Sequence, residues 1–430
     1  MNSTPTSLSG RIGQWLRSSI NELAVTFWTC TSFPLMYISG GHNDQLLFIP
    51  LAIGAPLFIA LTWKKPIIAQ VDPIVTAGVF LLFLSILGSY LFNPNYYEPV
   101  FMAGNIAAAV LLFLALYVLV MKLDLDLQKL LIFQAIYICL FLPVVLQTSS
   151  DRWGRLEPAE LHPNYVSMMG IVAIIGAMSV RNIFVTLALA ALPFYTMLKM
   201  ESRASMIATC AAAAIIIGLG LWKMRSRRLM AQLGVGTIVA GVIAMGAALA
   251  GYNIFAFIGD EISNAFLLND DLRGMDSGAT GRSDLWAAAY NIWLTHPIFG
   301  IGFKGHTRFM PDNMLAHNAF LGLLADNGLV GLLGYLLIAV GAVLNVIKRG
   351  WQLPMFPQRA AIIFPYFLYG MVESRAFSFG NTYSILFLLV AFDSAKYRVK
   401  RDTAPTAQPA PGVARSAEPK RSQPVGSLSR

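Results

Sequence analysis

Ala316-His317-Asn318-Ala319-Phe320 runs on through Asp326-Asn327-Gly328-Leu329-Val330-Gly331 into an apolar segment that ends near residue 347. The segment 318–347 is longer than the roughly 20 residues a helix needs to cross about 30 Å of hydrocarbon at ~1.5 Å per residue. Asp326-Asn327-Gly328 is expected to break it into a shallow helix and a true span. A histidine therefore stands where a long polar segment meets a membrane helix. His317 is one of five histidines in a chain that is 56% hydrophobic.

The rest of the chain agrees with a membrane reading. Only 12% of its 430 residues are charged, about half the share of an ordinary soluble domain. Apolar runs long enough to span recur throughout. They predict helices at 23–39, 46–62, 74–92, 100–121, 129–147, 165–180, 182–199, 205–222, 230–256, 318–347, 360–373 and 383–393. The fold class is an all-α integral membrane protein of about twelve transmembrane helices. The alternating pattern of a membrane barrel is absent.

Boundaries follow from the same pattern. Residues 1–22 form an inner lead-in, with Leu8, Ile12, Trp15, Leu16 and Ile20 on one helical face and no cleavable leader expected. Spans one to nine occupy 23–256, a large outer loop 257–317, and the last three spans 318–393. The tail 394–430, rich in Pro, Ala, Ser and basic residues, is expected to be disordered.

An inside start places most of the 31 basic residues on the inner side, among them Lys64, Lys65, Lys122, Arg349 and Arg359. Alternation through all spans then obeys the positive-inside rule. Both termini are cytoplasmic on this reading. The net charge of +9 anchors the chain beside membrane lipids, and no nucleic-acid partner is implied. Cys30, Cys139 and Cys210 all fall in apolar spans, where thiols behave as small hydrophobes.

Candidate chemistry collects on the outer side. Within the large loop, Leu285, Trp286, Ala289, Tyr290, Trp293 and Leu294 have helical spacing, which predicts an amphipathic surface helix near 282–295. Arg282 is expected at its start, where free N–H groups attract anions. It reads either as a phosphate clamp or as a solvated loop arginine. Arg203, in Glu201-Ser202-Arg203, reads as a phosphate ligand, a snorkelling side chain or a partner of Glu201. Arg375 in Glu373-Ser374-Arg375 is a similar case, and Arg152 and Arg155 lie in a loop that can approach the same place. His317 is a helix cap or a general base, since an ordinary pKa of about 6.5 leaves it able to accept a proton near neutrality. His296 before Pro297 reads as structural. Asn269-Asp270-Asp271 lacks a second ligand set, so no metal and no cofactor is expected.

As a set, several of these pieces resemble the O-antigen ligase and polymerase family of bacterial inner-membrane proteins. They are His317-Asn318-Ala319-Phe320-Leu321 with Asn327-Gly328 and Gly331, Ser202-Arg203-Ala204, and Gly281-Arg282 leading to His296-Pro297-Ile298-Phe299-Gly300-Ile301-Gly302. Arg155 and His162-Pro163-Asn164 are similar to its earlier outer-loop motif.

The resemblance implies a metal-independent, inverting glycosyltransferase of the membrane-embedded GT-C-like architecture, in the inner membrane of a Gram-negative cell with a periplasmic active site. The donor would be a glycan on undecaprenyl diphosphate. A ligase would join it to lipid A-core, and a polymerase would extend it on its carrier. The span count and single large late loop favour the ligase. His317, Arg203 and Arg282 would be catalytic. Arg155, Asn164, Asn318, Arg375, Arg152 and His162 would bind substrate. A transporter or flippase of lipid-linked glycans is the alternative class. It would call for internal repeats or ionisable groups at mid-span, and apart from Asp326 the span centres are nearly uncharged.

Overall fold

The computed structural model describes residues 18–38, 48–93, 99–152, 155–158, 161–224, 278–302, 305–311, 314–377 and 380–398. The expected span at 230–256, the amphipathic face of the first twenty residues, Asn269-Asp270-Asp271 and most of the tail lie outside them.

The described chain is helical, with helices at each of the other expected spans. These are α1 (Ile20–Cys30), α2 (Ser32–Ile38), α3 (Phe48–Thr62), α4 (Pro73–Phe92), α5 (Pro99–Lys122) and α6 (Leu127–Gln147). They continue with α7 (Pro163–Ala177), α8 (Ile183–Lys199), α9 (Arg203–Met224), α10 (Gly278–Thr295), α11 (Ala319–Arg349), α12 (Phe356–Val372) and α13 (Thr382–Ser394). The run expected at 23–39 is two helices, parted at Thr31. Among the described residues, five helices are long and apolar enough to cross a membrane: α4, α5, α6, α9 and α11.

Short strands, absent from the sequence reading, pair in two antiparallel ribbons. Ala69–Val71 (β1) pairs with Lys396–Arg398 (β4), and Ser149–Arg152 (β2) with Arg155–Pro158 (β3).

Burial sorts the helices into inner and outer members. Every described side chain of α13 from Thr382 to Phe392 is buried, and so are nearly all of α7. A helix apolar all round must be enclosed by others, which explains how these two remain shorter than a full span. The surrounding helices expose Phe80, Leu87, Phe184, Leu187, Leu333 and Val340. So much exposed apolar surface suits hydrocarbon rather than water.

One packing seam matters most for the site. On α4 and α11, Gly78 and Gly334 face each other so closely that a Cβ on either would come within 3.0 Å of the other's backbone oxygen. Small residues let the two backbones approach.

Polar contacts define the two ends of the bundle. At one end Arg359, buried at 4%, donates to Asp393 at 2.5 Å and to the Ser394 hydroxyl at 3.1 Å. Lys396 also meets Asp393 at 2.6 Å, and Arg349 donates to the carbonyls of Ser394 and Lys396. Basic residues counted as inner in the sequence thus gather at one end, beside the β1–β4 ribbon. His317, Asn164 and Glu373 lie at the other.

Candidate active site

The break in α11 builds the site. Gly328 has φ 62° and ψ −167° inside the helix, a backbone region open to glycine alone. The ladder is interrupted there, and the freed groups find partners in the segment 297–302. Ile301 and Gly302 donate their N–H groups to the carbonyls of Ala325 and Asp326, at 2.9 and 2.7 Å. In return Leu329 and Val330 donate to the carbonyls of Pro297 and Ile298, at 2.9 and 3.1 Å. Non-helical backbone inside a membrane protein has to be satisfied in this way.

Gly300, at φ +68°, makes the close approach possible, because a Cβ there would meet the Asp326 carbonyl. The Asn93 amide at the end of α4 donates to the Gly300 carbonyl at 3.0 Å, and Phe92 stacks on Phe299. The His296–Gly302 and Asp326–Gly328 motifs are therefore two halves of one main-chain clasp.

Just before α11, His317 adopts φ +48°. His, Asn and Asp enter this left-handed region more readily than other side chains. The imidazole is half-buried. Asn318 is the N-cap of α11, its side-chain oxygen accepting from the N–H groups of Phe320 and Leu321 at 3.0 Å. Its own N–H donates to the Ser374 hydroxyl at 3.1 Å.

Next to Ser374, Glu373 is buried at 1% and accepts from the Asn164 amide at 2.8 Å. The Tyr369 hydroxyl donates to the Asn164 carbonyl at 3.3 Å. The turn carrying Arg375 thus ties the His317-Asn318 corner to the start of α7. His162, an exposed residue, is the N-cap of α7 through Nδ1.

Over this corner lies α10. Its Leu285 and Ala289 are buried against Met310 and Ala316, with Leu321 beside them. Arg282 stands one turn before Leu285 on the same face, and its side chain is half-buried. That face delivers it toward the 316–321 segment.

Two sequence expectations about α10 change. The helix begins at Gly278, so Arg282 sits in its second turn and not at its free N–H groups. Part of the face expected to lie on the bilayer is spent on protein contacts, leaving Tyr290 and Leu294 exposed. The Trp293 indole donates to the Pro297 carbonyl, and His296 shares a hydrogen bond with the Thr295 hydroxyl at 2.8 Å, in line with its structural reading.

Arg203 is the first residue of α9, half-buried, after a tight turn in which Glu201 has φ +48°. The helix packs on both α7 and α12, the elements that carry Asn164 and lead to Glu373. Arg152 and Arg155 are register partners in the backbone of the β2–β3 ribbon. The contacts described therefore join Asn164, His317-Asn318 and the Glu373–Arg375 turn directly, and Arg282 through α10.

His306 went unread in the sequence. It stands in a 3-10 turn, His306–Phe309, 4% exposed, and both its backbone N–H and Nδ1 meet the Asp326 carboxylate. Burial pulls its pKa down, but the Asp326 charge and hydrogen bond together outweigh this and hold it above the ordinary histidine value. No spacing pointed to it, because its partner lies twenty residues on, across the clasp.

Residues 188–336 match the family model of O-antigen ligase. The matched region includes Arg203, Arg282, His317 and the whole clasp, and stops short of Asn164 and Arg375. No curated protein matches the chain.

Proposed function

We propose that this chain, on the strength of its O-antigen ligase match, transfers O-antigen polysaccharide from undecaprenyl diphosphate to lipid A-core at the periplasmic face of the inner membrane. The observation that carries the reading is the His317 corner. It is a half-buried imidazole in a left-handed turn, pinned by Asn318 to Ser374 and covered by the helix that bears Arg282.

His317 accepts the proton of the acceptor hydroxyl. The oxygen then bonds to the anomeric carbon as that carbon's bond to the diphosphate breaks, and undecaprenyl diphosphate leaves with the electron pair. The single displacement inverts the anomeric centre. Arg203 and Arg282, with Arg155, Arg152 and Arg375 as further candidates, neutralise the departing diphosphate through planar bidentate forks. Asn164, His162 and Asn318 are further candidates for substrate contact. On this reading the chain has twelve spans in a GT-C-like architecture with both termini cytoplasmic, and the reaction takes place where lipid-linked glycans are exposed. No metal is required.

A deletion strain tests the assignment. Complete lipid-linked polymer should accumulate. Accumulation of single lipid-linked repeats would instead identify a polymerase. Transfer by the purified protein should persist in EDTA, and loss restored by a divalent ion would overturn the metal-free mechanism.

A further inference from the structure

Beside the His317 corner an open cleft of about 690 Å³ separates the second half of α10 from the His306–Phe309 turn. Its volume is that of a small-molecule site. One wall presents Asn291, Thr295 and His296, and the other Arg308 and Phe309. Asn291, Arg308 and Phe309 are exposed, the Phe309 ring at 46%. Flat amide and guanidinium groups supply directional hydrogen bonds to hydroxyls, while Thr295 and His296 are bonded to each other and hold that wall. An aromatic ring supplies a flat apolar face for the C–H side of a sugar ring.

The floor of the cleft is rigid and adjoins the reacting corner. Met310, 4% exposed, lines the cleft and packs with Leu285, Ala289 and Ala316, the residue before His317. Ile292 likewise belongs both to the cleft and to that apolar cluster. Ile301, at the inner edge, is fixed by its hydrogen bond to Ala325. Through Met310 and Ala316 the cleft and the His317 corner share one apolar cluster.

Resting on the glycan-transfer reading above, we propose that the cleft between α10 and the 306–309 turn is a saccharide-binding subsite, holding the sugar units that adjoin the reacting one. Both substrates present such units, the acceptor through its oligosaccharide and the donor through its polymer.

Phe309→Ala and Arg308→Ala in the purified full-length protein separate these sources. Thermal melting of each variant beside the wild type separates loss of binding from loss of fold. With donor saturating and lipid A-core varied, and then the reverse, the KM for one glycan should rise about tenfold, with a much smaller change in kcat. A rise for lipid A-core assigns the cleft to the acceptor, and a rise for the lipid-linked polymer assigns it to the donor. Unchanged KM for both substrates in both variants would overturn the subsite while leaving the transfer reading intact.

A second measurement does not depend on transfer. Core oligosaccharide released from lipopolysaccharide, and free O-antigen polysaccharide, are each titrated against the full chain by tryptophan fluorescence, since Trp286 and Trp293 stand on α10. Binding of either that weakens about tenfold in both variants supports the cleft even if the wild type transfers nothing. Binding of neither, or equal binding by wild type and variants, removes it.

Discussion

The Nδ1 of His306 lies 2.8 Å from Oδ1 of Asp326, and the backbone N–H of His306 donates to the same oxygen at 2.9 Å. Both residues are buried. The pair fastens the loop beneath α10 to the break in α11. Because Asp326 holds the His306 pKa above its ordinary value, the stabilisation is complete below that ordinary value, about 6.5. It is lost as pH rises through the raised folded-state value. The melting temperature of the purified protein should therefore fall as pH is raised above neutrality, and Asp326→Asn should flatten that fall. A wild-type profile as flat as the variant's would rule out a charged pair.

His306→Ala removes the charged imidazole of a buried pair and leaves the Asp326 carboxylate only its neutral contacts, the residue-306 N–H among them. The expected loss is about 3–5 kcal/mol, read as a reduced denaturation midpoint. Substitution without measurable destabilisation would contradict the burial described.

Gly328→Ala should also destabilise the protein. The backbone angles are closed to alanine, and the added Cβ would collide with the Ile298 carbonyl. Strain and overpacking together come to roughly 3 kcal/mol. Gly218→Ala is the control, since a Cβ there meets nothing within 4 Å. Equal thermal stability of the two variants would show that the clasp tolerates a side chain.

At His317 the backbone guides the choice of variant. Asparagine accepts the left-handed conformation, whereas alanine resists it by about 1–2 kcal/mol. His317→Asn should keep the wild-type melting temperature and lose transfer by roughly 10²–10⁴-fold, the usual contribution of a general base. Normal product formation by the asparagine variant would remove His317 from the chemistry.

Glu373→Ala leaves the Asn164 amide without its acceptor at 2.8 Å, a loss of about 1–3 kcal/mol. Glu373→Gln retains a carbonyl oxygen and should recover most of the stability. If alanine and glutamine behave alike, the link between α7 and the 373–377 turn contributes nothing.

The helices were legible because each obeys a local rule of length and apolarity. The interruption of 318–347 was legible too, since Asp326-Asn327-Gly328 carries a charge, a polar amide and a glycine in succession. What answers the interruption was not. Pairing of Ala325 and Asp326 with Ile301 and Gly302 is main chain to main chain and leaves no mark on side-chain pattern. Glu373 was passed over for Arg375 beside it, because a buried carboxylate is recognised by its partner, and Asn164 is remote in sequence. Arg282 was assigned the right helix and the wrong turn, as Gly278 to Gly281 read as loop but fold into helix.

The main-chain clasp also implies an order of events during synthesis. Segment 297–302 emerges before α11 exists, and although α4 already offers Asn93 to the Gly300 carbonyl, the N–H groups of Ile301 and Gly302 have their acceptors only once Ala325 and Asp326 follow. Until the two meet, the interrupted turn of α11 presents open carbonyls and N–H groups, a costly arrangement in lipid. The clasp therefore ties the closing of the site to the making of α11: its main-chain bonds form only when residues 325–330 have been added to the chain.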